Sequence, residues 1–153
     1  AEDIKFRHTM TGADTIRDVD QFGHMNNSVY FSLYDLAKTT YIKDVFGSAD
    51  WSKLAIVVAN INANFFMPVF FSDHLVIETA VDIWGIEFYL LQRAVTTDTH
   101  EVKCECRTVM VGYDLATKDE LISEDYKKAI CRYEEKTLEE LSKTEIVIDF
   151  LCC

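Results

Sequence analysis

At 153 residues, 49% of them hydrophobic, the chain has enough apolar material for one core and too little length for two, so a single domain is expected. Its formal net charge of −11 argues against a nucleic-acid partner, because phosphate neutralisation needs clustered Lys and Arg. One Pro and five Gly leave no room for a linker, and five cysteines with no Cys-x-x-Cys pair and no secretory apolar segment point to reduced thiols in a cytoplasmic protein.

The first element is read from alternation: Ile4, Phe6, His8 and Met10 fall on one side and Lys5, Arg7 and Thr9 on the other, as in a half-buried strand. His8 is expected to be a partly buried strand residue. Next comes an acidic turn, Asp18-Val-Asp20-Gln-Phe-Gly23-His24-Met25, running into Asn26-Asn27-Ser28. Asn and Ser are favoured at helix starts, where their side-chain oxygens accept from N–H groups that have no intrahelical partner. A helix is therefore expected from Ser28 to about Phe46, with Val29, Leu33, Leu36, Ala37, Thr40 and Tyr41 at helical spacing and Gly47 as its stop. Aromatic residues on more than one side of it imply a helix wrapped by a sheet.

Leu54 to Phe66 alternates again, with Val57, Ala59, Ile61, Ala63 and Phe65 on one face and Asn60, Asn62 and Asn64 on the other. The amide row reads as an outer or subunit-contact face, with a ligand-binding row as the alternative. After Pro68 and a turn at Ser72-Asp73-His74, three more strands follow: Leu75 to Ile83, Phe88 to Thr96 and Val102 to Tyr113. Gly85 and Thr97-Asp98-Thr99-His100 separate them. Helical character returns after Ser123, and Thr137-Leu-Glu-Glu140 has capping-box spacing. One helix followed by hairpin-connected strands gives an α+β fold with an antiparallel sheet around one long central helix. Residues 1–136 are read as the domain and 137–153 as a C-terminal extension of unassigned role. The terminal Cys152-Cys153 lacks the polybasic context of a lipid anchor, so no membrane partner is expected.

The turn before the helix is where chemistry is expected. Gly23 lets the chain double back and bring Asp20 toward the helix N-terminus, beside free N–H donors where the helix dipole favours developing negative charge. A carbonyl oxygen on those donors and a carboxylate acting on its carbon or on a water is acyl-transfer geometry. Asp18 and Asp20 also fit ordinary turn and cap roles, and the residues alone leave both readings open. Gly-x-Ser-x-Gly, phosphate-loop, dinucleotide and zinc spacings are absent, and Cys104 and Cys106 are read as two small residues on one strand face rather than as metal ligands.

Asp18, Asp20, Gly23, His24, Met25, Asn26, Asn27, Tyr30, the Leu33-Tyr34 pair and Asp35 stand in the register Asp-x-Asp-x-x-Gly-His-(Val/Met)-Asn-Asn-x-x-Tyr-x-x-(Tyr/Phe)-(Glu/Asp). In this the chain resembles the hotdog-fold acyl-CoA thioesterases, in their 4-hydroxybenzoyl-CoA thioesterase-like branch. The resemblance spans roughly residues 4–133 and is sharp over 18–35; where the family has Arg three residues before the first Asp, this chain has Thr15, with Arg17 nearby. It implies hydrolysis of an acyl-CoA to free acid and CoA, with Asp20 as nucleophile or general base and the Asn27 backbone N–H polarising the thioester carbonyl. By the same resemblance His24 supports the turn, Gly23, Asn26 and Tyr30 contribute to substrate binding, and Asp35 is a structural neighbour of the site. It further implies no cofactor or metal apart from the CoA of the substrate, and a homodimer or homotetramer with the site between subunits. A hotdog hydratase or dehydratase is the first alternative, although Asp20 and His24 are four apart and no Asn-Pro pair is present; a non-catalytic acyl-thioester binding protein is the second. Arg93, Lys103 and Arg107 are the expected partners of the CoA phosphates.

Overall fold

The computed structural model describes residues 5–12, 25–47, 54–70, 73–119 and 124–142. Asp18, Asp20, Gly23, His24, Trp51 and the apolar tail after Ser142 lie outside the described residues.

A five-stranded antiparallel sheet is built from β1 (His8–Thr11), β2 (Leu54–Phe65), β3 (Leu75–Trp84), β4 (Glu87–Thr96) and β5 (Val102–Asp114), in the order β1-β3-β4-β5-β2. The helices are α1 (Asn27–Phe46), α2 (Glu124–Glu134) and α3 (Leu138–Ser142). This is the hotdog arrangement, an α+β fold with one long helix against an antiparallel sheet. Trp84 pairs with Glu87, so β3 and β4 are joined by Gly85-Ile86 alone, and Gly85 has φ of 61°. Positive φ at the first of two turn residues suits the right-handed twist of the flanking strands and calls for glycine. The predicted capping box is formed: Glu140 N–H donates to Thr137 Oγ1 at 3.1 Å and Thr137 N–H to Glu140 Oε1 at 3.3 Å.

The buried stripe of α1 is Tyr30, Leu33, Tyr34, Ala37, Lys38 and Tyr41. It is rotated from the expected one: Leu36 is 56% exposed, and Tyr34 and Lys38 take the inward positions. Toward the start of the helix, Tyr30, Leu33, Tyr34 and Ala37 pack with Ile77, Ala94, Cys104 and Cys106 of the sheet. Toward its end, Tyr41 packs with Val81, Ile83, Phe88, Leu90, Ile130 and Leu141, so α2 and α3 close the core there. Gln92 ties the two layers, its amide donating to the Tyr34 carbonyl oxygen at 3.0 Å and to Thr79 at 3.2 Å.

The two edges of the sheet are treated differently. On one side β1 pairs with β3 only as far as Thr79. Just beyond it, Val81 N–H donates to the carboxylate of Glu134 in α2, so a helix side chain takes over where the strand stops. Asp82 beside it is fully buried, and neither of its carboxylate oxygens has a hydrogen-bond partner among the described residues. Burial, with Glu134 adding to it and Lys136 opposing, pushes its carboxyl up to about 7. His8, 3% exposed, meets Asp44 through Nε2 at 3.0 Å and sits edge-on to Tyr41, the structural role expected of it. On the other side, β2 is paired among the described residues only with β5, and Val57, Val58, Ile61 and Phe65 are each more than 40% exposed.

Candidate active site

The start of α1 is built as the Asn-Asn-Ser run predicts. Asn26 is the N-cap, with φ of −66° and ψ of 144°, and its Oδ1 accepts from both the N–H and the hydroxyl of Ser28, each at 2.9 Å. Val29 N–H reaches the Asn26 carbonyl at 3.0 Å. Asn27 is thus the first helical residue, and its N–H has no acceptor among the described residues. The first turn carries no acidic side chain, so the positive end of the helix dipole is not offset by its own residues despite the acidity of the chain. Met25 N–H donates to Val69 O at 2.8 Å and holds the incoming chain against the segment that follows β2.

Beside this helix end lies a cavity of about 220 Å³ lined by Met25, Asn27, Tyr30, Phe65, Phe66, Met67 and Pro68. Its walls are aromatic: Phe65 lies 5.4 Å from Tyr30 and 6.3 Å from Phe31, centroid to centroid. The far wall is fixed by two hydrogen bonds to the Lys103 carbonyl, from Phe66 N–H at 2.9 Å and Met67 N–H at 3.1 Å. Burial, with the neighbouring Cys104 and Asp73 adding to it, drives the Tyr30 phenol well above its ordinary pKa, so it stays a neutral hydrogen-bonding group.

Of the residues singled out from the sequence, Asn27 and Tyr30 line the cavity and Asn26 braces it from behind. Asp20, Gly23 and His24 lie outside the described residues, which resume at Met25 on the cavity wall. Asp35 is not part of the lining; its side chain is 81% exposed and 3.7 Å from the Lys38 ammonium. Tyr89 belongs to the opposite face of the sheet, packed with Ala80 and Leu91. The sequence does not point to Met67 and Pro68, because nothing in their own spacing says that the chain after β2 folds back over the helix start. The Phe65-Phe66 pair is the available signal.

The basic residues expected to meet CoA are engaged elsewhere. Cys104 and Cys106 face α1, so Lys103, Glu105 and Arg107 face away from it. There Glu105 takes both Arg93, at 2.9 Å, and Arg107, at 3.1 Å, while Lys103 lies 3.2 Å from Glu101 and 3.8 Å from Asp73. The charges of the cluster are thereby largely neutralised. The same alternation puts Asn60, Asn62 and Asn64, the register partners of Val109, Arg107 and Glu105, on that outer face. Burial pushes the Cys104 thiol up to about 11 and raises that of Cys106, so neither is a nucleophile at neutral pH. Among the described residues no group of three or more His, Cys, Asp or Glu side chains is arranged to hold a metal ion.

Residues 15–141 match the family model of the thioesterase-like superfamily. No curated protein matches the chain in a direct sequence search. Among solved structures, a thioesterase from Thermus thermophilus complexed with coenzyme A and Zn aligns with a TM-score of 0.74 at 21% identity, covering 87% of this chain and 98% of that one. A 1,4-dihydroxy-2-naphthoyl-CoA thioesterase from Synechocystis aligns at 0.70 and 14% identity, covering 80% and 94%. A Staphylococcus aureus protein in complex with CoA aligns at 0.72 and 14% identity, covering 85% and 84%. At such identities these three establish a shared fold.

Proposed function

Since the chain belongs to the thioesterase-like superfamily and is a thioester hydrolase, we propose that it hydrolyses an acyl-CoA to the free acid and CoA, with Asp20 as nucleophile or general base. The observation that carries this reading is the Asn27 N–H, without an acceptor among the described residues, held at the capped start of α1 and opening on an aromatic-walled cavity. A thioester carbonyl seated there has its oxygen on Asn27 N–H and at the positive end of the helix. As the carbonyl carbon becomes tetrahedral, that oxygen gains the charge the site favours, and one such donor is worth about 10²–10³ in rate. Asp20 either attacks the carbon or takes a proton from an attacking water; the C–S bond then breaks and the CoA thiolate leaves to be protonated by solvent, and where Asp20 is the nucleophile, water then cleaves the resulting acyl-aspartyl anhydride to the free acid and the regenerated carboxylate. Gly23 and His24 support Asp20 in this reading, and Tyr30 with Phe65 and Phe66 grips the acyl portion. This chemistry calls for no metal or redox cofactor, and turnover is expected to survive dialysis against a chelator.

The enzyme acts as a homodimer or a dimer of dimers in this reading. β2 has 12 residues, one edge unpaired among the described residues and apolar side chains exposed on it, while Phe31 of α1 beside it is 40% exposed. A second copy adding its own β2 antiparallel to this one is an isologous contact that pairs the free backbone groups and covers the apolar ones. It also closes the cavity, which lies at the end of the same strand. A cytoplasmic location fits the unpaired Cys104, Cys106 and Cys131. Among the described residues, no helix is long and apolar enough to cross a membrane.

The decisive experiment is thiol release from a panel of straight-chain, branched and aromatic acyl-CoAs. Release from at least one of them, saturable and enzyme-dependent, supports the reading; tight binding without release across the panel overturns acyl-CoA as the substrate class.

A further inference from the structure

Lys38 is a buried charge that the mechanism above does not use. It is 7% exposed, on the inward stripe of α1, and Asp35 at 3.7 Å is its one ion-pair partner among the described residues. That partner is loose and mostly in water, so it compensates little of the cost of taking an ammonium out of solvent, which is several kcal/mol in order of magnitude. A Met or Leu of similar size would fill the same space without that cost, so packing does not explain a lysine here.

Its position supplies a reason. Phe31, Asp35 and Lys38 stand at i, i+4 and i+7, one stripe of the helix, and Phe31 meets Phe65 at 6.3 Å. Phe65, Ala63 and Ile61 run along the facing side of β2. Lys38 lies farther along the same seam: Ala37 beside it packs with Cys106, and Cys106 is the register partner of Ala63. Phe65, Ala63 and Ile61 therefore form an apolar track that begins in the cavity beside Asn27 and leads along α1 to one positive charge. Phe65 and Ile61 are 42% and 44% exposed in the single chain. A second copy on β2 would roof the track.

Resting on the acyl-CoA hydrolase reading, we propose that Lys38 is the specificity residue of the acyl site and selects acyl groups that end in a carboxylate. The lengths agree. Asn27 and Lys38 are about 16 Å apart along the helix axis. A helical lysine points back toward the helix start, as the contact with Asp35 one turn earlier shows, recovering roughly 6 Å of that span. What remains, about 10 Å, suits a six-carbon acyl chain plus one charge-assisted hydrogen bond. On arrival the substrate carboxylate displaces the loose contact with Asp35, whose own charge stays in water.

The test compares kcat/KM for adipyl-CoA and hexanoyl-CoA, which have equal length and differ in the terminal carboxylate, in the wild-type protein and in Lys38→Met. The wild type is expected to favour adipyl-CoA by about 10- to 100-fold. Lys38→Met should bring that ratio to one or below and melt no lower than the wild type. Competition by free adipate against free hexanoate, measured on the wild type, gives the same preference without any variant. A wild type that hydrolyses hexanoyl-CoA as well as adipyl-CoA, or a preference unchanged by Lys38→Met, overturns the assignment and leaves the hydrolase reading standing. Absence of thiol release from every acyl-CoA overturns both.

Discussion

The phenolic hydroxyl of Tyr41 donates to Oε1 of Glu134 at 2.6 Å, and the same oxygen accepts Val81 N–H at 3.3 Å, so one carboxylate joins α1, α2 and the free edge of β3. Asp82, whose oxygens have no such donors among the described residues, is its neighbour along β3. Burial raises the pKa of both acids, Asp82 up to about 7.

A raised carboxyl pKa means that the folded chain holds its proton more tightly than the unfolded one. The associated stability is complete below the ordinary carboxylate pKa and is lost as pH rises through about 7. Wild-type melting temperature should therefore fall between pH 5 and pH 8, in the window set by Asp82. Asp82→Asn should flatten that fall and be the more stable protein at pH 8. Glu134→Ala should instead destabilise by about 2–4 kcal/mol, because Tyr41 and Val81 are left with buried, unmet donors. Parallel melting curves for wild type and Asp82→Asn across this range would remove Asp82 from the account.

Asn27 offers a way to delete a backbone donor without deleting a fold. It is the first residue of α1, where proline is well tolerated, and Asn26 before it is already in the extended conformation that proline requires. Asn27→Pro should keep the circular dichroism spectrum and the melting temperature to within a few degrees, while kcat falls by about 10²–10³. Asn27→Ala, which retains the N–H, should lose far less. Equal losses in the two variants would move the carbonyl-polarising donor elsewhere.

For Asp20, replacement by Asn removes charge and basicity but keeps shape, and turnover should drop by about 10²–10⁴, or more if the carboxylate is the nucleophile. Asp18→Asn on the same turn should cost much less, and His24→Ala should fall between. Mild and equal effects of the two Asn substitutions, with unchanged melting, would show that Asp20 is not the reacting carboxylate.

Assembly is checked with charge on the open strand. Val57→Lys combined with Ile61→Lys puts two like charges where a copy of β2 would lie and repeats them on the partner. Sedimentation at micromolar concentration should give a dimer or larger species for the wild type and a monomer for the variant, with acyl-CoA hydrolysis lost alongside. A monomeric wild type would end the subunit-interface account.

Local signals carry far in this chain. The Asn26 cap, the Thr137 box and the Gly85 turn are each dictated by hydrogen bonding or backbone angles within a few residues, so each is legible in its own short stretch of sequence. Strand alternation likewise locates β2, β3, β4 and β5. What escapes a sequence reading is set by the layer packed against each element. Lys38 and Leu36 change places relative to the apolar pattern of α1, because the sheet offers its pocket on a line through Tyr30 and Tyr34. Met67 and Pro68 reach the cavity because Met67 N–H bonds to the Lys103 carbonyl on another strand. Arg93 and Arg107 look like a free basic patch in the sequence because Glu105 becomes their partner only once β4 and β5 are in register.

The missing acid in the first turn of α1 has a cost in rigidity. A carboxylate at Ser28, an exposed position, would pair with the helix dipole and firm up a helix end that the chain leaves to neutral caps. The same carboxylate would stand beside the carbonyl oxygen at the moment it acquires charge. Ser28→Glu should thus yield a protein that melts slightly higher and turns over more slowly, a trade of durability against speed.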